Sequence, residues 1–283
     1  MSLCRLLACT ICFISLFACH PDPESSAMNQ NPAHTPTPSA APEPAGSWWH
    51  PSPGLTWQWQ IGDNDIDTSI AAEVFDIDLY VDQSVIDELH AKGRKVIGYI
   101  SVGSWEDWRP DASSFPAEVL GKDYEGWPGE RWLDIRRLDL LAPIIRARLD
   151  LCAQKGFDGI EPDNMDIYTN ATGFPLTYAD QLAFARWLSE EAHARGLSIG
   201  IKNAPDMVKD ALELFDFAIT EDCYYYGWCD QMLPFVAQGK PVFAAEYTDM
   251  DVNFEAACNY GRLHQISFIL KNRGLDVYRE ACP

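Results

Sequence analysis

Eight apolar runs of strand length follow one another along residues 55–270, and most intervals between them carry a helical pattern. The runs are Leu55–Ile61, Phe75–Val81, Lys95–Val102, Gly159–Asp163, Ser198–Asn203, Asp216–Glu221, Pro241–Tyr247 and Gln265–Leu270. Parallel strands need long crossovers and are covered on both faces, so they read as continuous apolar stretches. The rhythm predicts an α/β fold, a single (β/α)8 barrel of the TIM type. It also predicts where chemistry resides: at the C-terminal strand ends and in the loops just after them.

The first residues read as a targeting segment. Arg5 precedes an apolar run from Leu6 to Ala18, too short to span a bilayer and the size of a signal-peptide core. Leu16-Phe17-Ala18-Cys19 resembles the bacterial lipobox, whose cysteine becomes the lipidated first residue. Residues 1–18 are therefore expected to be a lipoprotein signal and Cys19 the lipid carrier. Cleavage by the ordinary signal peptidase, or retention as an uncleaved anchor, are the alternatives. Residues 19–47 are rich in Pro, Ser and Ala, which predicts a disordered, extended tether. Residues 48–283 then form one barrel domain, since such barrels take roughly 250 residues. The expected protein is an exported monomer, either secreted or held at a periplasmic or cell-surface membrane only through its lipid.

Acidity concentrates in the barrel. Only Arg5, Asp22, Glu24 and Glu43 lie outside it, which leaves 39 of the 42 acidic and 20 of the 21 basic residues, a formal charge of −19. That field disfavours nucleic acid and would attract a cationic partner. Five barrel cysteines remain: Cys152, Cys223, Cys229, Cys258 and Cys282. Export favours oxidation, and an odd number suggests two bridges and one thiol. Cys152 continues the apolar helix face of Leu138, Leu141, Ile145 and Leu149, and so reads as core. Cys223 and Cys229 could close a short loop, and Cys258 could tie the last helix to Cys282. Zinc is the rival reading, but the spacing lacks the close pairs of structural zinc sites.

Two strand ends pass from apolar residues directly into carboxylates. The fourth reads Gly159-Ile160-Glu161-Pro162-Asp163-Asn164-Met165-Asp166, and the sixth Phe217-Ala218-Ile219-Thr220-Glu221-Asp222-Cys223. Two facing carboxyl groups are the minimum equipment for cleaving a glycosidic bond. Lys202 and Asn203 end the strand between them, and an ammonium there would favour an ionised Asp163. Glu221 lies among Phe217, Ile219, Tyr224 and Tyr225, an apolar setting expected to raise its pKa.

The stretches GFDGIEPDNMDIY, VIGYISVGSWE, IKNAP and ITEDC together resemble glycoside hydrolase family 114, the endo-α-1,4-polygalactosaminidase-type barrels, from about Trp57 to Cys282. The resemblance implies an endo-acting hydrolase of α-1,4-linked galactosamine-containing exopolysaccharide. It places Asp163 as nucleophile and Glu221 as acid/base, with retention of configuration implied by analogy to related α-glycosidase barrels. No cofactor or metal is expected. The binding set expected around the pair is Asp82, Tyr99, Ser101, Trp105, Asn164, Asp166, Lys202, Asn203, Tyr224, Tyr225, Glu246 and Tyr247, because aromatic faces stack on sugars and carboxylates pair with hydroxyl or ammonium groups. Gln58 and Gln60 read as satisfied interior amides. The alternative function is a carbohydrate-binding lipoprotein that kept the barrel and lost turnover.

Overall fold

The structure, a computed structural model, describes residues 47–63 and 65–283. The expected signal, Cys19 and the tether up to residue 46 lie outside the described residues.

All eight expected runs form parallel strands of one sheet. In chain order they are β1 (Trp57–Gln60), β2 (Val74–Asp78), β3 (Lys95–Ser101), β7 (Gly159–Asp163), β8 (Ser198–Lys202), β9 (Phe217–Glu221), β10 (Val242–Tyr247) and β11 (Ile266–Lys271). Neighbours in sequence are neighbours in the sheet, and a short β12 (Glu280–Ala281) adds antiparallel to β11. The sheet curls until its first and eighth strands approach. Trp57 Nε1 donates to Ser267 O at 2.9 Å, and Lys271 Nζ reaches Gln58 Oε1 at 3.3 Å.

Helices fill the crossovers where the periodicity called for them: α1 (Gln83–Ala91), α2 (Leu138–Lys155), α3 (Tyr178–His193), α4 (Val208–Ala211), α5 (Leu233–Ala237) and α6 (Phe254–His264). Helix α3 starts where Thr177 and Asp180 form a reciprocal capping box, with Asp180 N donating to Thr177 Oγ1 at 3.2 Å and Thr177 N to Asp180 Oδ2 at 2.9 Å. Apolar side chains pack in two sets. One lies between helices and sheet; the other, including Trp57, Trp59, Phe217, Phe243 and Tyr247, fills the inside of the curl. Truncating an aromatic in such a core costs about 3–5 kcal/mol.

One region departs from the strand–helix rhythm. Between β3 and α2 the chain inserts a small antiparallel sheet of β4 (Ser104–Glu106), β5 (Leu120–Asp123) and β6 (Glu130–Leu133), in the order β4-β6-β5. Disulfides join Cys223 to Cys229 and Cys258 to Cys282, with Cα separations of 4.8 and 5.3 Å, while the Cys152 thiol is free and buried. Burial pushes that thiol up to about 12, which leaves it inert as a nucleophile.

Candidate active site

Three adjacent strands deliver one cluster of charge. Residues two apart on a strand share a face, so Glu161 and Asp163 both point inward from the end of β7. Lys202, at the end of β8, sets its Nζ 3.0 Å from Glu161 Oε1, 3.2 Å from Asp163 Oδ1 and 3.2 Å from Glu221 Oε2. Those last two oxygens are therefore no further apart than twice 3.2 Å. The lysine is 4% exposed and lies 4.6 Å over the Trp59 ring. Burial pulls its pKa down, but Asp163, Glu161 and Glu221 together push it well above the ordinary lysine value. It is a permanent cation between two carboxylates at the strand ends.

Each carboxylate has further holders. Tyr99 OH donates to Asp163 Oδ2 at 3.0 Å. Asn203 Nδ2 donates to Glu221 Oε2 at 3.1 Å and its Oδ1 accepts from Glu221 N at 2.9 Å, while Tyr247 OH donates to Glu221 Oε1. Immediately beyond these strand ends the chain turns left-handed, at Asn164 (φ 62°), Asn203 and Ala204 (both 50°) and Asp222 (52°). Non-glycine residues adopt that region sparingly, and such positions concentrate at functional sites. Gly103 makes room for the first of these turns, since a Cβ there would lie 2.1 Å from Asn164 O.

The expectation of a raised Glu221 pKa is corrected. Burial does push it up, but Lys202 and the hydrogen bonds from Tyr247, Asn203 and Lys202 prevail and hold it below the ordinary glutamate value. Its same-face neighbour along the strand, Ile219, is apolar; Lys202, Asn203 and Tyr247, brought to it from the flanking strands, are not. Beneath the cluster, burial and the adjacent Glu161 raise Asp76 well above the carboxylate range. Glu161 keeps Lys202 and the Trp59 Nε1 donor at 3.0 Å, so Asp76 is the protonated member of the pair.

Asp163, Lys202 and Glu221 open onto a cavity of about 720 Å³. Of the expected binding residues, Tyr99, Asn164, Asp166, Lys202 and Asn203 line it. Tyr247 stands behind Glu221 at 1% exposure, and Ser101 is buried beneath Asn164, accepting from its Nδ2 at 3.1 Å. Glu246 is committed elsewhere: Oε1 accepts from Tyr224 N at 2.8 Å and Oε2 from Tyr225 N at 3.1 Å, so it braces the loop after β9. Tyr224 packs on Tyr260 and Phe268, Tyr225 is exposed outside the cavity wall, Asp82 is exposed at the N-cap position of α1 without a side-chain capping bond, and Trp105 donates its Nε1 to Ala112 O at 3.0 Å.

The opposite wall was missed by the sequence reading. Arg109 bridges Asp78 Oδ2 at 2.5 Å and Glu106 Oε2 at 2.8 Å. Beside them stand Tyr80, Trp108, Tyr124, Trp127 and Glu130, and Arg273 closes the rim. The turn-forming Gly126-Trp127-Pro128-Gly129 was the available signal for a hairpin here.

Known proteins resemble this chain in sequence and in fold. The chain is 40% identical to Aspergillus fumigatus Ega3, known from a crystal structure in complex with galactosamine, with a TM-score of 0.79 over 83% of this chain and 98% of that one. It shares the fold of the glycoside hydrolase domain of PelA from Pseudomonas aeruginosa (13% identity, TM-score 0.63, 81% of this chain and 98% of that one). An uncharacterized protein of Deinococcus radiodurans is 26% identical over 95% of this chain and 97% of its own length. The characteristics of one enzyme family match residues 37–283, the whole of the curled sheet with its Asp163–Lys202–Glu221 cluster, and the chain belongs to glycoside-hydrolase family GH114.

Proposed function

We propose that the protein is an endo-acting hydrolase of α-1,4-linked, galactosamine-containing exopolysaccharide, and that its curled sheet is a closed (β/α)8 barrel. The carrying observation is that Asp163 and Glu221 contact one buried ammonium at the mouth of one cavity. Asp163 attacks the anomeric carbon while Glu221 protonates the departing oxygen. Glu221 then takes a proton from the water that displaces Asp163, and two inversions give net retention. Retaining enzymes hold their carboxyl groups about 5–5.5 Å apart and inverting ones roughly 6.5–9.5 Å. The bound set by Lys202 favours the first.

Lys202 and Tyr99 keep Asp163 oriented toward the cavity, and Asn203 and Tyr247 do the same for Glu221. A partly deacetylated galactosamine polymer is cationic, which suits a barrel of formal charge −19. The same proposal carries export on the residue 1–18 signal, lipid on Cys19 and action as a monomer, without cofactor. Incubating residues 48–283 with galactosamine polymer should release a ladder of oligosaccharides readable by mass spectrometry. Binding without release would instead support a carbohydrate-binding role, and a chitosan-like polymer cleaved in preference would overturn the sugar assignment.

A further inference from the structure

Trp108 and Trp127 are 54% and 53% exposed, the only exposed tryptophans among the described residues, and both lie in the wall of the catalytic cavity. Neither is there by slack in the chain. Trp127 sits at the tip of the β5–β6 hairpin, between Gly126 (φ 90°) and Gly129 (φ 94°), and the tip is closed by Trp127 N to Tyr124 O at 3.0 Å and Glu130 N to Trp127 O at 3.1 Å. A Cβ on Gly129 would come within 2.9 Å of the Trp108 ring, so this glycine lets Trp108 pack against the hairpin. Tyr124 lines the cavity beside them, its ring 6.3 Å from that of Trp127. A smaller hollow of about 340 Å³ shares Tyr124, Trp127 and Glu130 with the main cavity, so the tip has space on both sides.

Two carboxylates of this insert are treated differently. Glu106 is clamped by Arg109 at 2.8 Å. Glu130 is 7% exposed, accepts from Ser104 Oγ at 2.6 Å, and forms no ion pair among the described residues, although it borders the cavity. A buried carboxylate with no cation is costly unless one arrives. Burial accordingly raises it to about 7.

We propose that the β4–β6 insert is a second sugar-binding site, in which Trp108 and Trp127 stack on units of the chain beyond the scissile bond and Glu130 receives an amino-sugar ammonium. It rests on the galactosamine-polymer reading above. Rigid aromatic faces give contact at low ordering entropy, and a desolvated carboxylate discriminates an ammonium from a neutral acetamide.

The test compares Trp108→Ala, Trp127→Ala and Glu130→Gln with the parent on galactosamine oligomers of rising length and on their N-acetylated counterparts. The indoles are exposed and glutamine still accepts from Ser104, so all three should melt as the parent does. Each tryptophan variant should lose about tenfold in kcat/KM on long chains, mostly through KM, and progressively less as the oligomer shortens. Glu130→Gln should lower the ratio of kcat/KM for amino over N-acetylated chains about tenfold. Losses independent of length, or an unchanged ratio, overturn the inference. A parent that cleaves no galactosamine chain overturns the substrate reading and this inference together, whereas an active parent matched by its variants overturns this inference alone.

Discussion

Strands β7 and β9 carry carboxylates at both ends, with Asp158 and Asp216 leading in and Asp163 and Glu221 closing them. At the leading end every acid is used up by the fold. Asp158 accepts from Val96 N at 2.8 Å and pairs with His90 at 2.9 Å and Lys95 at 2.7 Å. Asp216 accepts from Ile199 N at 2.9 Å and Trp48 Nε1 at 2.9 Å, and pairs with His193 at 2.8 Å. At the closing end the acids meet one lysine and an open cavity. The same residue types thus splice neighbouring strands at one rim and line the cavity at the other, the two rims that parallel barrels generally divide between stability and activity.

Substitution at the closing end should break catalysis and spare folding. Asp163→Asn and Glu221→Gln should each lower kcat at least about 10²–10⁴-fold with a melting temperature close to the parent's. An active Asp163→Asn combined with an inactive Asp166→Asn would shift the nucleophile along the same loop.

The next effect is in pH. Because Glu221 is held below the ordinary glutamate value, its protonated form becomes scarce as pH rises. As the acid of the first step it should make kcat/KM fall about tenfold per pH unit across the neutral range. A profile flat to about pH 7 and falling only above it would give the proton to Glu130, which burial raises to about 7.

At the leading end the sign of the experiment reverses. Asp158→Asn and Asp216→Asn should each cost about 1.5–3 kcal/mol of stability, measured by urea unfolding, with kcat of the folded enzyme unchanged. Loss of kcat without loss of stability would erase the contrast between the two rims.

The effect confined to the narrowest conditions concerns Glu246, which burial raises to about 7 against an ordinary 4.5. Between those values the folded protein keeps a proton that the unfolded chain has lost. Stability should therefore fall as pH rises through that window, by at most about 3 kcal/mol, and level off above it. Glu246→Gln should flatten this slope in thermal melts.

The eight parallel strands were legible because each is a short, mostly apolar run set off from its neighbours by a longer crossover, and Asp163, Lys202, Asn203 and Glu221 were legible because each stands at the end of one. The β4–β6 insert was not. Its strands are three or four residues long, and Leu120-Gly121-Lys122-Asp123 has neither alternation nor an apolar core to announce it. With it went one side of the cavity wall, including Glu106, Arg109 and Glu130. Asp78 was hidden inside the second apolar run. The charge state of Glu221 was misread for another reason: register, not sequence adjacency, sets a strand residue's surroundings. Glu221 pairs with Ala245 on β10 and lies beside the end of β8, which brings Tyr247, Lys202 and Asn203 to it.

On the proposed reading, Asp163 and Glu221 act directly on the two sides of one glycosidic bond. Proton NMR of the first oligosaccharides released from galactosamine polymer, read before mutarotation, tests it most directly. The new reducing ends should appear first as the α anomer, the signature of a covalent intermediate on Asp163. First appearance of the β anomer would place a water between the carboxylates and contradict it.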